Sequence, residues 1–332
     1  MRAILCTKYG SPEVLQLGEV KKPTCMDDEV LIKIYATTVT AGDCEIRSFK
    51  MKALLWLPVR IYMGIRKPKK PILGMELAGE IESVGKNVKF FKKGDSVFAD
   101  TGFHFGSYAE YVCLASKNAM AIKPVNMTYE EAAAVPIGGL NALHFLKKGN
   151  IQIGEKVLIY GASGSIGTFA IQIAKCFGAE VTGVCGTTNL ELVKSLGAHK
   201  VIDYTREDFT KNGELYDVIF DTKGTTSFLR VKRSLKEKGR YLSANPKMID
   251  MVSGIWAAMT SSKKVILEAS SQETKDLIYI KELIEDGKIR SVIDRRYSME
   301  QIREAHSYVE KGHKKGNVVI TFYDNILSTG KY

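Results

Sequence analysis

The sequence predicts an α/β protein with a β-rich N-terminal region and a doubly wound parallel sheet. Short β-branched or alternating runs, separated by Gly, Lys and Asp, fill its first third. Beyond about residue 126, continuous Val/Ile runs alternate with helical stretches, which is the pattern of a parallel sheet covered on both faces. A glycine-rich turn joins one of these runs to a helix. The 332 residues amount to two domains of roughly 150 residues each.

Composition and charge narrow the function classes. Hydrophobic residues make up 45% of the chain and charged residues 26%, which is ordinary for a globular protein and excludes disorder of the whole chain. No uncharged apolar run reaches about 18 residues, so no transmembrane helix is predicted. The N-terminal MRAILCTKYG lacks the apolar region of a signal peptide, and we expect a cytoplasmic protein. The net charge of +11 favours anionic partners: a phosphorylated cofactor, nucleic acid or an acidic membrane surface.

Cysteine and histidine spacing indicates neither a disulfide framework nor a metal centre. The six cysteines are scattered, without a CxxC pair. In a chain without a secretion signal, such spacing predicts free thiols. No two of the five histidines stand four positions apart, so we expect them at the surface or at the edge of the core.

The predicted strands of the first third are short runs ended by turn residues. They are 30–39, 79–85, 95–100 and 108–114. Between the first two lies the apolar, basic stretch 51–71, in which Pro58 argues against one long helix.

The second region alternates strands with helical connections. Its predicted strands are 156–160, 180–185, 200–204, 217–222, 239–244 and 264–269, with 228–239 connecting the fourth to the fifth. After them we expect a helix over 272–288, a strand at 289–297, a helix around 299–312 and a strand at 317–322. The last ten residues have no partner pattern and are expected to fray.

The glycine-rich turn predicts a dinucleotide site. It reads Ala162-x-Gly164-x-x-Gly167, a GxGxxG variant with Ala in the first place. The second position lets the backbone approach a pyrophosphate, and the third lets the helix, expected to begin near Ile166, pack closely on the strand. The helix N-terminus then offers N–H groups and a positive dipole end to the phosphates. The cofactor-binding residues predicted here are Ala162, Ser163, Gly164, Ser165, Ile166 and Gly167.

The end of the next strand selects the cofactor. An NAD site usually carries Asp or Glu there to bind the ribose 2′-hydroxyl. This chain has Gly186, Thr187 and Thr188 instead, with no acid before Glu191. Hydroxyl and amide groups can donate to a 2′-phosphate and the chain is basic, so we expect NADPH, with NADH as the alternative.

Longer blocks of the sequence resemble the medium-chain dehydrogenase/reductase superfamily, specifically its zinc-independent quinone oxidoreductase branch. The block at 74–98, GMELAGEIESVGKNVKFFKKGDSVF, resembles the family's GxExxGxVxxVGxxVxxFxxGDxV. Further matching blocks are 106–111, 130–143, the glycine turn, 192–204 and 314–322. The resemblance implies a GroES-like catalytic domain, 1–125 and 272–332, split around a Rossmann nucleotide-binding domain, 126–271.

The resemblance also suggests site residues. Asp43 and Arg47 in TAGDCEIR resemble the family's NPxDxxxR and are catalytic candidates, with a structural ion pair between them as the alternative. Tyr62 is a candidate donor to the substrate. The further cofactor candidates are Asn141 beside the nicotinamide, Tyr204 beside the adenine-ribose phosphate, and Lys315 and Asn317 in the C-terminal cofactor loop.

The ligands that hold zinc in other members of this superfamily are missing. Met75 replaces the His of their GHE motif, and Thr40 stands near the first Cys position. No Cys lies between Cys113 and Cys176, where the third ligand would stand. A thioether and a hydroxyl without a third thiolate do not make a zinc site, so we expect no metal. Without zinc to polarise a carbonyl, quinones and α,β-unsaturated carbonyls are the favoured acceptors, because they delocalise the incoming charge themselves.

The apolar segments, the resemblance and the net charge each suggest partners for the chain. The stretch 51–71, most apolar over 51–65, could form a lid over an apolar substrate, a dimer contact or an attachment to an anionic membrane. The segment 248–259 is similarly apolar. The resemblance implies a homodimer, with 264–269 as the pairing edge. The alternative function is a dinucleotide-binding protein with a basic surface for nucleic acid, although the sequence carries no nucleic-acid motif.

Overall fold

The chain folds into two compact units. The computed structural model describes residues 1–50, 53–246 and 248–323. The first unit comprises Met1–Ile137, Glu273–Glu285 and the described residues from Ile293 onward, and the second comprises Gly138–Gln272 and Asp286–Val292. The units therefore divide at Ile137, twelve residues later than the resemblance suggested.

Strands and helices alternate along the second unit as the sequence predicts. The strands are β1 (Arg2–Cys6), β2 (Leu15–Glu19), β3 (Glu29–Thr38), β4 (Glu76–Val84), β5 (Ser96–Asp100), β6 (Tyr111–Ala115), β7 (Met120–Ile122), β8 (Lys156–Tyr160), β9 (Glu180–Cys185), β10 (Lys200–Asp203), β11 (Tyr216–Asp221), β12 (Leu235–Ser243), β13 (Lys264–Ile266), β14 (Ile293–Ser298) and β15 (Asn317–Thr321). The helices are α1 (Ala41–Ser48), α2 (Ala53–Met63), α3 (Tyr129–Ala133), α4 (Pro136–Lys148), α5 (Ser165–Cys176), α6 (Leu190–Ser195), α7 (Phe228–Val231), α8 (Met248–Thr260), α9 (Thr274–Glu285) and α10 (Ile302–Glu310).

The first unit is built on a mostly antiparallel sheet in the order β14-β15-β3-β4-β5-β7, with β6 also paired to β3. Alternate residues of β3 point into the core, and Val30, Ile32 and Ile34 are fully buried there. Helix α3 packs on β3 and β4, which places the residues just after 125 in this unit.

The second unit contains a parallel sheet in the order β10-β9-β8-β11-β12-β13. Its central strands are apolar runs, and Val157, Leu158 and Ile159 of β8 are fully buried, as expected where helices cover both faces. The predicted doubly wound class is confirmed. Strand β12 begins four residues earlier than predicted, and the edge strand β13 is shorter than predicted.

The prediction that all six cysteines are free is wrong. Cys25 and Cys113 form a disulfide whose Cα atoms are 5.4 Å apart. The two residues are 88 positions apart in the sequence, but Cys113 lies on β6, which pairs with β3, and the loop carrying Cys25 leads into β3. Tertiary pairing of these strands, which spacing does not reveal, brings the sulfurs together. The other four cysteines are free.

Helix α2 runs through Pro58 but ends at Met63, so the stretch 51–71 does not form one long helix, as expected. Proline removes one backbone donor, but Val59 and Met63 pack inward against the core, and this burial stabilises the helix. The helix ends before Gly64, which has a φ of +120°. Residues 51–52 and 324–332, the latter including nine of the ten predicted to fray, lie outside the described residues. No helix in the described part of the chain is long and apolar enough to cross a bilayer.

Candidate active site and nucleotide cradle

The glycine turn of the second unit is shaped by contacts that leave no room for side chains. Gly161, directly after β8, has a φ of +83°, so the tight turn is made at this residue, one position before the Ala162 that takes the first place of the motif. A Cβ on Gly167 would stand 2.2 Å from the carbonyl oxygen of Gly161. The close approach of α5 to the strand therefore requires glycine at 167. At Gly164, by contrast, a Cβ would meet only the Gly161 oxygen, at 3.5 Å.

Helix α5 begins at Ser165, one residue before the predicted start, and its N-cap Gly164 has no side chain to cap the first turn. The first turn of any helix presents N–H groups without intrahelical acceptors, and its dipole attracts anions. Ala162, Ser163 and Ile166 belong to the same turn. The open space beside Gly164 and this helix terminus fit the pyrophosphate of a dinucleotide.

The loop after β9 is held by side-chain hydrogen bonds. Asn189 donates from Nδ2 to Oγ of Ser163 at 3.1 Å, which ties this loop to the glycine turn. Thr187 donates from Oγ1 to Oδ2 of Asp203 at 2.5 Å. Tyr204 is half exposed, and its ring lies 3.6 Å from the position of a Cβ on Gly186. Thr188 belongs to the same short 3-10 turn, Thr187–Asn189.

Sequence reasoning missed Asp203, the acid at this edge. Asp203 belongs to β10 and not to β9. It lies beside the end of β9, because it pairs in register with Cys185. Its other oxygen accepts from the N–H and Oγ1 of Thr205, at 3.0 and 2.7 Å. The hydrogen bond from Thr187 lowers the pKa of Asp203. Because hydroxyls occupy both oxygens and the guanidinium of Arg206 lies 3.7 Å away, this acid is already engaged within the protein.

Asn141 lies on α4, and its Oδ1 accepts a hydrogen bond from Oγ of Ser270 at 2.8 Å. This bond fixes the amide within the second unit. The signal in the sequence was its place in the block 130–143, and the structure adds the serine that orients it.

In the first unit, Asp43 and Thr40 cap helix α1 reciprocally. The N–H of Asp43 donates to Thr40 Oγ1 at 3.1 Å, and Asp43 Oδ2 accepts from the N–H of Thr40 at 2.9 Å. Burial raises the pKa of Asp43 to about 6, although the hydrogen bonds from Thr40 act in the opposite direction. The carboxyl is therefore a helix cap that titrates unusually close to neutrality.

Arg47 is fully buried and does not form the suggested ion pair with Asp43 in the described structure. It pairs with Glu310 at the end of α10, and its Nη1 donates to the carbonyl oxygen of Gly10 at 2.6 Å. The carboxylate partner lies 263 positions away, so spacing gave no hint of it. These contacts join α1 to α10 and favour a positioning role for Arg47.

His306 of α10 is held neutral. Arg47 can only donate, and its Nε lies 3.3 Å from Nδ1 of His306. Nδ1 is therefore the acceptor and Nε2 carries the hydrogen, which faces the hydroxyl of Tyr108 at 3.2 Å. Burial lowers the pKa of His306 to about 3, so the ring does not take up a proton at neutral pH.

Two further carboxyl groups lie opposite each other where β4 pairs with β5. Glu76 and Asp100 are partners in the register of these strands. The Glu76 carboxyl accepts from Thr38 Oγ1 and, at 2.7 Å, from the N–H of Ile137. Burial raises the pKa of Glu76 to about 8 and that of Asp100 to about 7, and repulsion by neighbouring carboxylates adds to both. At neutral pH Glu76 therefore holds a proton.

Lys314, in the loop before β15, was missed by sequence reasoning. Its Nζ donates to the carbonyl oxygen of Gly316 at 2.5 Å. Burial lowers its pKa to about 8, while the charges of Glu76 and Asp294 raise it. Lys315 and Asn317 are the two residues that were predicted for the cofactor loop. Lys315 donates its backbone N–H to Asp294 at 2.9 Å, and Asn317 is buried at the start of β15. Two adjacent lysines look alike in a sequence, and only the backbone path distinguishes them.

Tyr62 lies on α2 with 64% of its surface exposed. Its ring meets the edge of Phe103 at 6.5 Å between centroids. The structure therefore places it on an open face, where it does not join the buried carboxyl groups.

The positions that would hold zinc carry a hydroxyl and a thioether. The hydroxyl of Thr40 donates to Asp43 at 2.6 Å, and the sulfur of Met75 lies 3.4 Å from the position of a Cβ on Gly42. Among the described residues, one cluster has ligand atoms close enough for a metal ion, namely Cys25, Glu29 and Cys113. Its two sulfurs are joined as a disulfide, which leaves neither as a thiolate.

Two protein families match separate parts of the chain. Residues 26–124 match the alcohol dehydrogenase GroES-like domain, and residues 196–320 match the zinc-binding dehydrogenase family. A 2-methylene-furan-3-one reductase of Solanum lycopersicum is 33% identical, over 96% of this chain and 79% of the relative. A chloroplastic NADPH-dependent alkenal/one oxidoreductase of Arabidopsis thaliana is 30% identical over the same shares.

A solved structure is similar over the whole fold. The quinone oxidoreductase of Coxiella burnetii superposes with a TM-score of 0.86 and 28% identity, covering 97% of this chain and 99% of that one. The chain therefore belongs to the medium-chain dehydrogenase/reductase superfamily, in its quinone oxidoreductase-like branch.

Proposed function

We propose that this chain reduces quinones or α,β-unsaturated carbonyls with NADPH and without a catalytic zinc ion. The names of the tomato and Arabidopsis relatives support conjugated acceptors and NADPH. The observation that carries the zinc-free mechanism is the donor set at Thr40 and Met75, a hydroxyl committed to a helix cap and a thioether. Such donors do not replace the thiolates and imidazoles that hold zinc.

The cofactor, when bound, supplies a hydride to the acceptor. The protein's part begins at the glycine turn, where Gly164 and the N-terminus of α5 would hold the pyrophosphate. The hydroxyls of Thr187 and Thr188, with Tyr204 and the guanidinium of Arg206, would surround the adenine ribose and its 2′-phosphate. The guanidinium of Arg206, 3.7 Å from Asp203, offsets part of the negative charge that this carboxylate would present to the phosphate.

Reduction of a conjugated carbonyl or quinone consumes a proton as well as a hydride. Glu76 stores one at neutral pH, because burial raises its pKa to about 8. The ammonium of Lys314, with a pKa lowered to about 8, is a second source close to neutrality. Because their charges interact, loss of the Glu76 proton favours retention of the Lys314 proton.

Metal analysis combined with an assay tests the zinc-free proposal. We expect the purified protein to oxidise NADPH in the presence of an enal or quinone, at a rate unchanged by a chelator. One tightly held zinc per chain, with activity lost on chelation, contradicts the proposal.

We also propose a homodimer. Strand β13 is the edge of the parallel sheet and pairs only with β12 among the described strands, which leaves a backbone edge for a second copy. Light scattering at micromolar concentration should give twice the monomer mass. A single 36.8 kDa species contradicts this.

A cytoplasmic location is the last part of the proposal. In a reducing compartment the Cys25–Cys113 pair would be kept as two thiols, although the fold brings the sulfurs close enough to bond, so its state in the cell reports on the environment of the chain. Alkylation of both thiols in freshly lysed cells supports a cytoplasmic location, and their protection as a disulfide contradicts it.

A further inference from the structure

The charge of the first unit is strongly segregated in the sequence. From residue 46 to residue 75 the chain contains eight lysines and arginines and no aspartate or glutamate. One of these cations, Arg47, is buried and paired with Glu310. The others surround or follow helix α2, so much of the net charge of +11 is concentrated in one stretch of chain.

Helix α2 presents apolar residues to solvent. Val59 and Met63 pack inward. Leu57 and Ile61, four residues apart and therefore on one face, are 60% and 54% exposed. We call the exposed apolar residues of this region the α2 face, and each of them is between 44% and 66% exposed: Trp56, Leu57, Ile61, Tyr62, Ile65 and Phe103.

Cations border the α2 face. Arg66, Lys67, Lys69 and Lys70 are exposed, and none of these four has a carboxylate partner in the described part of the chain. Lys69 donates to the carbonyl oxygen of Ile61 at 3.0 Å, and Lys70 donates to that of His104 at 3.1 Å. These bonds to neutral oxygens hold two ammonium groups beside the apolar residues and leave their charge uncompensated.

We propose that the α2 face and its four cations attach this protein to the surface of an anionic phospholipid bilayer. Apolar side chains bordered by lysine and arginine match the boundary between acyl chains and anionic headgroups. Helix α2 has only 11 residues, so it lies on the surface and does not span it.

The combination of positive charge and exposed apolar side chains favours an anionic bilayer over two other partners, a second copy of the chain and nucleic acid. A two-fold contact between two copies at this face would bring the same four cations together, which is unfavourable. Nucleic acid would neutralise the cations but offers no apolar layer for Leu57 and Ile61. A bilayer with anionic headgroups satisfies both features.

Flotation with phospholipid vesicles tests the proposal on the full chain. We expect binding to vesicles of phosphatidylcholine with 30% phosphatidylglycerol, used at about 0.1 M salt where charges act over about 10 Å, and little binding to phosphatidylcholine alone. Removing two cations with R66Q/K67Q should weaken binding by about fivefold per cation. The matched control K117Q/K194Q removes the same charge from exposed lysines elsewhere and should leave binding nearly unchanged.

Fluorescence provides a second measurement. Trp56 and Trp256 are the two tryptophans, so W256F leaves Trp56 as the single emitter in the α2 face. Its emission should shift to shorter wavelength with anionic vesicles and stay unchanged with neutral ones. NADPH oxidation without vesicles should be equal in wild type and R66Q/K67Q, which separates this proposal from the proposed reaction.

Several results overturn the proposal. Equal binding to neutral and anionic vesicles does so, as does equal weakening by R66Q/K67Q and K117Q/K194Q. A dimer that dissociates in L57S/I61S would make the α2 face a contact between copies. Tight binding of duplex DNA that excludes vesicles would make it a nucleic-acid surface.

Discussion

The two candidate sites of this protein are built by different means. The nucleotide cradle is made chiefly of backbone from one short stretch, Gly161–Gly167, in which a contact of 2.2 Å requires glycine at 167 and a positive φ favours it at 161. The buried carboxyl cluster is made of side chains from β4, β5 and α1, with Lys314 from the loop before β15. The cradle therefore depends on the absence of side chains, and the cluster depends on their burial and charge.

The largest effect is expected at Gly167 of the cradle. A Cβ in Gly167→Ala would stand 2.2 Å from the carbonyl oxygen of Gly161 and 2.8 Å from Ala162, so α5 must move away from the strand. We expect a loss of about 3 kcal/mol in the free energy of unfolding, at the upper end for overpacked sites, and loss of NADPH binding. Denaturant titration and cofactor fluorescence measure both.

Gly164→Ala is the matched control. Its Cβ would meet only the Gly161 oxygen at 3.5 Å, so stability should change little while NADPH affinity falls, because the methyl group occupies the space beside the helix terminus. Equal stability of the two variants would contradict the packing role assigned to Gly167.

The next largest effect is expected at the disulfide, which lies in the first unit. It closes a long loop in the first unit, whereas Cys176 and Cys185 of the second unit are free. Cys25→Ser should lower the free energy of unfolding by about 2–4 kcal/mol. A dithiol reductant should destabilise wild type by a similar amount and leave Cys25→Ser unaffected. Equal sensitivity of both proteins to the reductant would show that another group is responsible.

The next prediction concerns the buried carboxyl cluster, in which the titration of Glu76 should make the stability depend on pH. Its pKa is raised from 4.5 to about 8, so the folded chain binds more protons than the unfolded chain between these values. Its stabilising contribution is present below pH 4.5 and is lost as pH rises to 8, by up to about 1 kcal/mol per pH unit. Glu76→Gln cannot titrate, so its stability should fall less between pH 5 and pH 8.

The control for this titration is Glu191→Gln, which removes an exposed carboxylate of α6. It should keep the pH dependence of wild type, as measured by unfolding at several pH values. If Glu76→Gln also keeps that dependence, Glu76 is not the proton store.

The smallest effect concerns cofactor choice. A Cβ on Gly186 would be 3.6 Å from Tyr204, an ordinary contact, so Gly186→Asp can be accommodated. Its carboxylate should repel a 2′-phosphate and shift the ratio of NADPH to NADH affinity by about tenfold, equivalent to about 1.4 kcal/mol. Gly186→Ala should leave the ratio unchanged. Tighter binding of NADH than NADPH by wild type would contradict the assignment of this edge.

The difference between the nucleotide cradle and the buried carboxyl cluster also explains which features could be predicted from the sequence. The parallel sheet class, the glycine turn and the succession of strands along the chain were predicted because each depends on residues close together in the chain. The positive φ of Gly161, one residue before the motif, was not predicted, since the motif specifies spacing but not which residue turns.

The cluster could not be predicted in the same way. The pairing of Glu76 with Asp100 depends on strand register, and that of Arg47 with Glu310 on the packing of helices 263 positions apart. Asp203 was not predicted, because the motif specifies an acid at the end of β9, whereas this acid comes from its neighbour β10. Asp43 and Arg47, adjacent on one helix face in the sequence, have separate partners in the structure.

The zinc-free reduction of conjugated acceptors is tested most directly by NADPH oxidation across a panel of carbonyl compounds. The panel contains quinones, enals, enones and the matching saturated ketones, with a chelator present throughout. Rates should follow acceptor electrophilicity, with no turnover of saturated ketones and negligible oxidation of simple alcohols in reverse. Saturated ketones or ethanol-like alcohols that react as fast as any enone would contradict the zinc-free reduction of conjugated acceptors.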